Sequence, residues 1–145
     1  MNGFIFIRMK RIIHVLLVEN DVVSQMEVTR ALEKRNILHS LTTVKSGDEA
    51  LELLANSNHY GTGKPDVIFI DLNIPDLNGL DMLSAIHANP HWKDIKIFML
   101  TSSDQPLDRN KAFELGASGF FSKPLSLENP TTSDAFNFMI DLMNL

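Results

Sequence analysis

The feature that most restricts the fold of this chain is a set of short apolar runs that do not alternate with polar residues. Ile12 to Val18 is almost continuously apolar and rich in β-branched side chains, and Val67-Ile-Phe-Ile70 repeats the pattern. A strand with one wet face would show a polar residue at every second position. An unbroken run instead marks a strand buried on both faces, as in a parallel sheet covered by helices. Leu41 to Val44, Lys96 to Leu100 and Gly119 to Ser122 supply three shorter strand candidates. Stretches of helical spacing fall between them. Val22 to Arg35 carries Val28, Ala31 and Leu32 on one stripe. Ser46-Gly-Asp-Glu49 reads as a capping box opening a helix that runs to about Asn56. Leu80 to Ala88 is a third helix, and Asp108 to Leu115 a fourth, stopped by Gly116. After a loop from Pro124 to Thr132, Ser133 is expected to cap a last helix with Phe136, Met139, Ile140 and Met143 on one face.

Five strands alternating with five helices define an α/β chain: a doubly wound, five-stranded parallel sheet with helices on both faces, joined by right-handed crossovers. In such sheets ligands bind beyond the carboxyl ends of the strands. The 145 residues suit one domain, which we expect to run from 12 to 145 behind an extension of residues 1–11. Phe4 to Ile7 is too short for a signal-peptide core or a membrane span, and Met9 is an alternative start. The expectation is a soluble protein with no membrane partner. Thirteen basic against eighteen acidic residues leave a net charge of -5, which disfavours direct nucleic-acid binding through a basic surface. The absence of Cys excludes disulfides and thiolate metal sites, consistent with a cytoplasmic location.

Several polar residues interrupt the strands at their carboxyl ends. Glu19, Asn20 and Asp21 follow the first strand, Asp71 the third, Thr101 the fourth and Lys123 the fifth. Taken singly, each has an ordinary explanation: an acid after a strand caps a helix, Thr ends strands, and Lys faces solvent. Together they resemble the receiver domain of two-component response regulators. The resemblance is carried by Leu17-Val-Glu-Asn-Asp21, Asp71-Leu-Asn-Ile-Pro75-Asp-Leu-Asn-Gly79, Leu100-Thr-Ser102 and Gly116-Ala-Ser-Gly-Phe120-Phe-Ser-Lys123-Pro124, and it spans Ile12 to about Leu145. The segment Ile86-His-Ala-Asn-Pro90 is similar to the stand-alone receivers that partner bacterial phytochrome-type kinases.

The resemblance implies a flavodoxin-like strand order 2-1-3-4-5. It also implies that Asp71 is the phospho-acceptor, with Thr101 as switch hydroxyl, Lys123 as active-site lysine and Phe120 as switch aromatic. Mg2+ would be held by the side chains of Asn20 and Asp71, the carbonyl of Asn73, and Glu19 through water. The Lys123-Pro124 peptide would be cis. The implied partner is a sensor histidine kinase or a histidine phosphotransfer protein, and the fourth helix, last strand and last helix would form either a homodimer face or a kinase-docking face. The chain would be a switch that phosphorylates itself, without turnover of a separate substrate. Phosphoryl chemistry suits this set, because a hard cation with oxygen ligands neutralises the donor's charge while a carboxylate attacks. Two departures stand out. Asn78 replaces the usual Asp before Gly79, a neutral change in a turn. Asn20 replaces a usual carboxylate, which keeps an oxygen ligand but removes a negative charge and weakens the metal by about 1 kcal/mol. Asp21 is expected to start the first helix instead of acting as a ligand.

Three other readings compete. A degenerate pseudo-receiver would act as a phosphate-independent protein-binding module, losing phosphorylation but not its partner. A flavin or nucleotide protein on the same topology would need a Gly-, Ser- and Thr-rich loop after the first strand, where Glu19 and Asp21 instead repel a phosphate. A metal-dependent phosphatase with an aspartyl nucleophile would need a second carboxylate two residues after Asp71, where Asn73 stands.

Overall fold

The computed structural model describes residues 11–60, 64–102 and 107–145, so the apolar leader Phe4 to Ile7 lies outside the described residues. In chain order the elements are β1 (Ile13–Val18), α1 (Val22–Lys34), β2 (His39–Val44), α2 (Gly47–Tyr60), β3 (Val67–Asp71), α3 (Gly79–Ala88), a 3-10 turn (Pro90–Trp92), β4 (Lys96–Thr101), α4 (Arg109–Glu114), β5 (Gly119–Ser122) and α5 (Pro130–Met143). All strand pairs are parallel, in the order β2-β1-β3-β4-β5. The expected α/β fold and strand order are both present.

Strand pleat separates the core into two layers, because alternate side chains leave opposite faces. Leu16, Val18, Ile68, Ile70, Ile97 and Met99 pack with Leu54 of α2, Met82 and Ile86 of α3 and Ala112 of α4. Val15, Leu17, Val67, Phe69, Phe98, Leu100 and Phe121 pack with Val28 and Leu32 of α1 and Phe136 and Met139 of α5. Four rings knit the second layer, with Phe121 5.2 Å from Phe69, 5.4 Å from Phe98 and 4.6 Å from Phe136. Gly119 makes room for this cluster, since a Cβ there would lie 2.7 Å from the Phe98 ring.

Several boundaries differ from the sequence reading. The last helix is capped by Asn129, whose side chain accepts from the Thr131 amide at 3.0 Å, and Pro130 occupies the first helical turn. Ser133 sits inside the helix, its amide donating to the Asn129 carbonyl. Proline at the first helical position is favoured because that amide has no partner in the helix, so Asn-Pro is a helix start and the preceding loop is shorter than expected. β2 begins at His39, paired with Ile13, because an edge strand tolerates polar residues and shows no apolar run. α2 continues to Tyr60. Asn89 caps an unexpected 3-10 turn by accepting from the His91 amide. The capping box forms with one change: Ser46 Oγ accepts from Glu49 N, while Glu49 reaches the amide of Lys45 instead of its own cap.

Candidate functional site

The carboxyl ends of β1, β3, β4 and β5 gather the polar residues singled out in the sequence. Glu19 follows β1 directly, and its amide donates to Val44 of β2, which fixes the turn into α1. Asp21 caps α1, accepting from the Ser24 amide at 3.0 Å and the Ser24 hydroxyl at 2.8 Å. These Ser24 hydrogen bonds hold the Asp21 carboxyl below its usual range, so Asp21 starts the helix as expected. Asp71 is the last residue of β3 and is buried. Behind it the backbone leaves no space at Gly79, where a Cβ would lie 2.9 Å from both the Asp71 carbonyl oxygen and Leu72 Cα. Thr101 ends β4, buried, and Lys123 follows β5 with its amide donating to the Thr101 carbonyl at 2.6 Å. The Lys123-Pro124 peptide is cis.

These ends bring two carboxylates to one ammonium. Lys123 Nζ lies 2.5 Å from Glu19 Oε1 and 3.2 Å from Asp71 Oδ1. Lys123 therefore bridges the two acids and sits closer to Glu19 than to Asp71. Glu19 is only 1 % exposed, and burial pushes its pKa up; Lys123 opposes this, and the neighbouring Asp71 adds to it. For Lys123, burial works against the charge, but the hydrogen bonds and charges of Glu19 and Asp71 outweigh it and hold its pKa above the usual lysine value. The cluster sets two carboxyl groups against one ammonium at the carboxyl edge of the sheet.

Asn20 and Asn73 stand exposed on the turns after β1 and β3 at the same edge. Asn78 caps α3 by accepting from the Asp81 amide at 2.9 Å, the backbone task an Asp would perform. The Thr101 hydroxyl donates to the Phe121 carbonyl at 3.4 Å, a long bond. Phe120 lies apart from the ion cluster, on the α4 side of the sheet. Its ring meets Phe113 edge to face at 5.0 Å, with the Arg109 guanidinium 4.9 Å from its centroid. Sequence reasoning passed over three contributors. Gln25 secures the first turn by donating to the Glu19 carbonyl at 2.7 Å, a contact signalled only by its place one turn into α1. Arg109 and Phe113 meet Phe120 across eleven and seven positions of sequence, and nothing local signals that contact.

Residues 15–132 match the response regulator receiver domain, and the chain belongs to that family. It is 31% identical over 128 residues to the two-component response regulator ORR4 of Oryza sativa subsp. indica, covering 79% of this chain and 54% of that relative. The chain thus spans about half the length of ORR4. It is 29% identical over 116 residues to the response regulator Rcp1 of Synechocystis sp., covering 79% of each. The Mn(2+)-bound form of Rcp1 superposes with a TM-score of 0.73 at 25% identity, covering 90% of this chain and 94% of that one. The bacteriophytochrome response regulator RtBRR superposes with a TM-score of 0.75 at 29% identity, covering 89% of this chain and 78% of that one. These similarities agree with the subgroup that the segment around His87 resembles. Among the described residues, no helix is long and apolar enough to cross a membrane.

Proposed function

We propose that this receiver domain takes a phosphoryl group on Asp71 from a sensor histidine kinase or a histidine phosphotransfer protein, and signals through protein contacts. The observation that carries the reading is the Glu19–Lys123–Asp71 cluster at the carboxyl edge of the sheet. An oxygen of Asp71 bonds to phosphorus as the bond to the donor's leaving group breaks, and that group departs with the electron pair. Lys123 already touches Asp71 and, as a mobile point charge, follows the new phosphoryl oxygen. Thr101, on the adjacent strand, offers a hydroxyl to a second phosphoryl oxygen. Phe120 reads that movement at the helix surface.

The donor set suits a hard divalent cation. Glu19 and Asp71 carboxylates, the Asn20 amide oxygen and the Asn73 carbonyl are all oxygen ligands, as Mg2+ requires. When bound, Mg2+ neutralises the charge of the incoming phosphoryl group. Asn20, Asp71 and Asn73 would hold the ion directly and Glu19 through water, with the neutral Asn20 giving a weaker site than a carboxylate there would. Residues 12–145 make up the domain, with 1–11 as an extension, and its place of work is the cytoplasm.

The test is incubation with acetyl phosphate, with and without magnesium, followed by intact-chain mass measurement. Wild type should gain one phosphoryl group in the presence of magnesium, and Asp71→Asn should gain none while keeping its circular dichroism melt. Equal gain in both proteins moves the acceptor elsewhere. No gain in wild type, with partner binding retained, selects the pseudo-receiver.

A further inference from the structure

We infer that Arg109 is a positioning residue which, with Phe113, clasps Phe120 and sets how readily the phosphorylated conformation is reached. The inference rests on Asp71 and Thr101 acting as proposed above, and adds a residue outside the resemblance. α4 is only six residues long, and Ala112 is its one fully buried side chain. Phe113 is 51 % exposed. A helix so short and so lightly buried has little of its own to hold it on the sheet. Its grip on β5 is aromatic: the Phe113 and Phe120 ring centroids lie 5.0 Å apart at 88°, and the Arg109 guanidinium lies 4.9 Å from the Phe120 centroid. Both residues hold one ring, from successive turns of one helix.

The clasped ring is tied to the acceptor site through β5, where Phe120 stands beside Phe121 and Phe121 faces Thr101. The Thr101 hydroxyl faces the Phe121 carbonyl, one residue beyond Phe120, and Lys123 Nζ sits between Glu19 and Asp71. For Thr101 to reach a phosphoryl oxygen on Asp71 it must leave Phe121, so the movement is felt in β5 beside the clasped Phe120 ring. The clasp on Phe120 belongs to the arrangement in which Thr101 faces Phe121, so it opposes the movement. A ligand that favours the other arrangement must overcome the clasp, and a weaker clasp raises its apparent affinity by the same factor. A cation–π contact at a partly exposed site corresponds to a factor of about two to five.

The experiment titrates beryllium fluoride, in excess magnesium, into wild type, Arg109→Ala and Arg109→Lys, following backbone amide resonances of Thr101 and Phe120. Arg109→Ala should bind about two- to fivefold more tightly, and Arg109→Lys, which keeps a cation, should lie nearer wild type. A second measurement uses ring-labelled phenylalanine with no phosphate mimic present: the Phe120 ring signal should shift and sharpen in Arg109→Ala. Unchanged or weaker affinity in Arg109→Ala, with an unchanged melt, overturns the clasp. Should wild type bind no beryllium fluoride and take no phosphoryl group, the acceptor reading fails instead. The clasp then stands if the Phe120 signal responds to Arg109→Ala and falls if it does not.

Discussion

At the scale of single residues, the site is an arrangement of charge in which one lysine serves two buried acids. Lys123 is 17 % exposed at its side chain and pairs with both Glu19 and Asp71. Because its pKa is raised above the ordinary lysine value of 10.5, the folded state holds its proton more tightly than the unfolded chain. That stabilisation is complete below the unfolded value and disappears as pH climbs through the folded one. Denaturant titrations across the alkaline range should show stability falling in wild type and a shallower fall in Lys123→Gln. The same variant should be less stable near neutrality by roughly 3 kcal/mol, since Glu19 is left buried without its partner. Glu19 works in the opposite direction to an ordinary salt-bridged acid. Its raised pKa favours the protonated form in the fold, so its contribution is present below 4.5 and is lost as pH rises through the folded value. On the proposed function, Asn20 sets how tightly the metal would be held. Asn20→Asp should tighten magnesium binding about fivefold, the equivalent of roughly 1 kcal/mol from one restored ligand charge. Isothermal titration at matched ionic strength checks this, and equal affinities would mean that Asn20 does not face the ion.

At the scale of elements, short signals at helix ends decide how much chain is left for the loops that bear the site. Asp21, Ser46, Asn78, Asp108 and Asn129 each place a side-chain oxygen on an early helical amide, so each helix on the site edge begins at a defined residue. The last of these separates two readings of α5. If Asn129 caps it, Asn129→Ala should lower stability by about 1 kcal/mol, while Ser133→Ala should stay within about 0.5 kcal/mol of wild type. Thermal melts of the two variants give the answer, and a reversed order would restore Ser133 as the cap. The stripe of Phe136, Met139 and Met143 is buried as its spacing predicts, and Ile140 is partly buried. On the opposite side of the helix Phe138, Leu142 and Leu145, spaced i, i+4 and i+7, do not form one uniformly exposed strip. Leu145 packs partly against the core, and Phe138, though 51 % exposed, meets Phe98 edge-on at 6.4 Å.

At the scale of the whole molecule, the proposed function needs a surface on which a change at Asp71 would become visible to a partner, and α4, β5 and α5 form the face that we propose for it. Leu142 is 36 % exposed there, alongside Phe138 and Phe113. We read this face as the contact surface for a second copy or for the kinase. Leu142→Glu is a cleaner probe than Phe138→Glu, because the Phe138 ring also supports Phe98. The variant should fold and show weaker self-association by sedimentation, or weaker kinase binding. Sedimentation and affinity identical to wild type would leave this face without a contact role.

Much of this was legible in the chain alone. Unbroken apolar runs fixed the buried strands, because a strand covered on both faces cannot afford a polar residue at either. Their regular alternation with amphipathic segments implied the parallel, doubly wound sheet. The polar residues at the carboxyl ends of those runs marked where the site had to be, since strand ends in such a sheet converge. β2 was underestimated because an edge strand is only half covered and so carries no continuous apolar signal. The Asn129 cap was missed because Asn-Pro suits a loop as well as a helix start, and only the packing of α5 on Phe121 distinguishes them. What tertiary structure alone decided were the pairings between distant residues. Lys123 sits nearer Glu19 than Asp71, and Arg109 lies over Phe120. Both depend on sheet register and helix placement to within an ångström or so, and local sequence carries the identity of such side chains but not the distance between them.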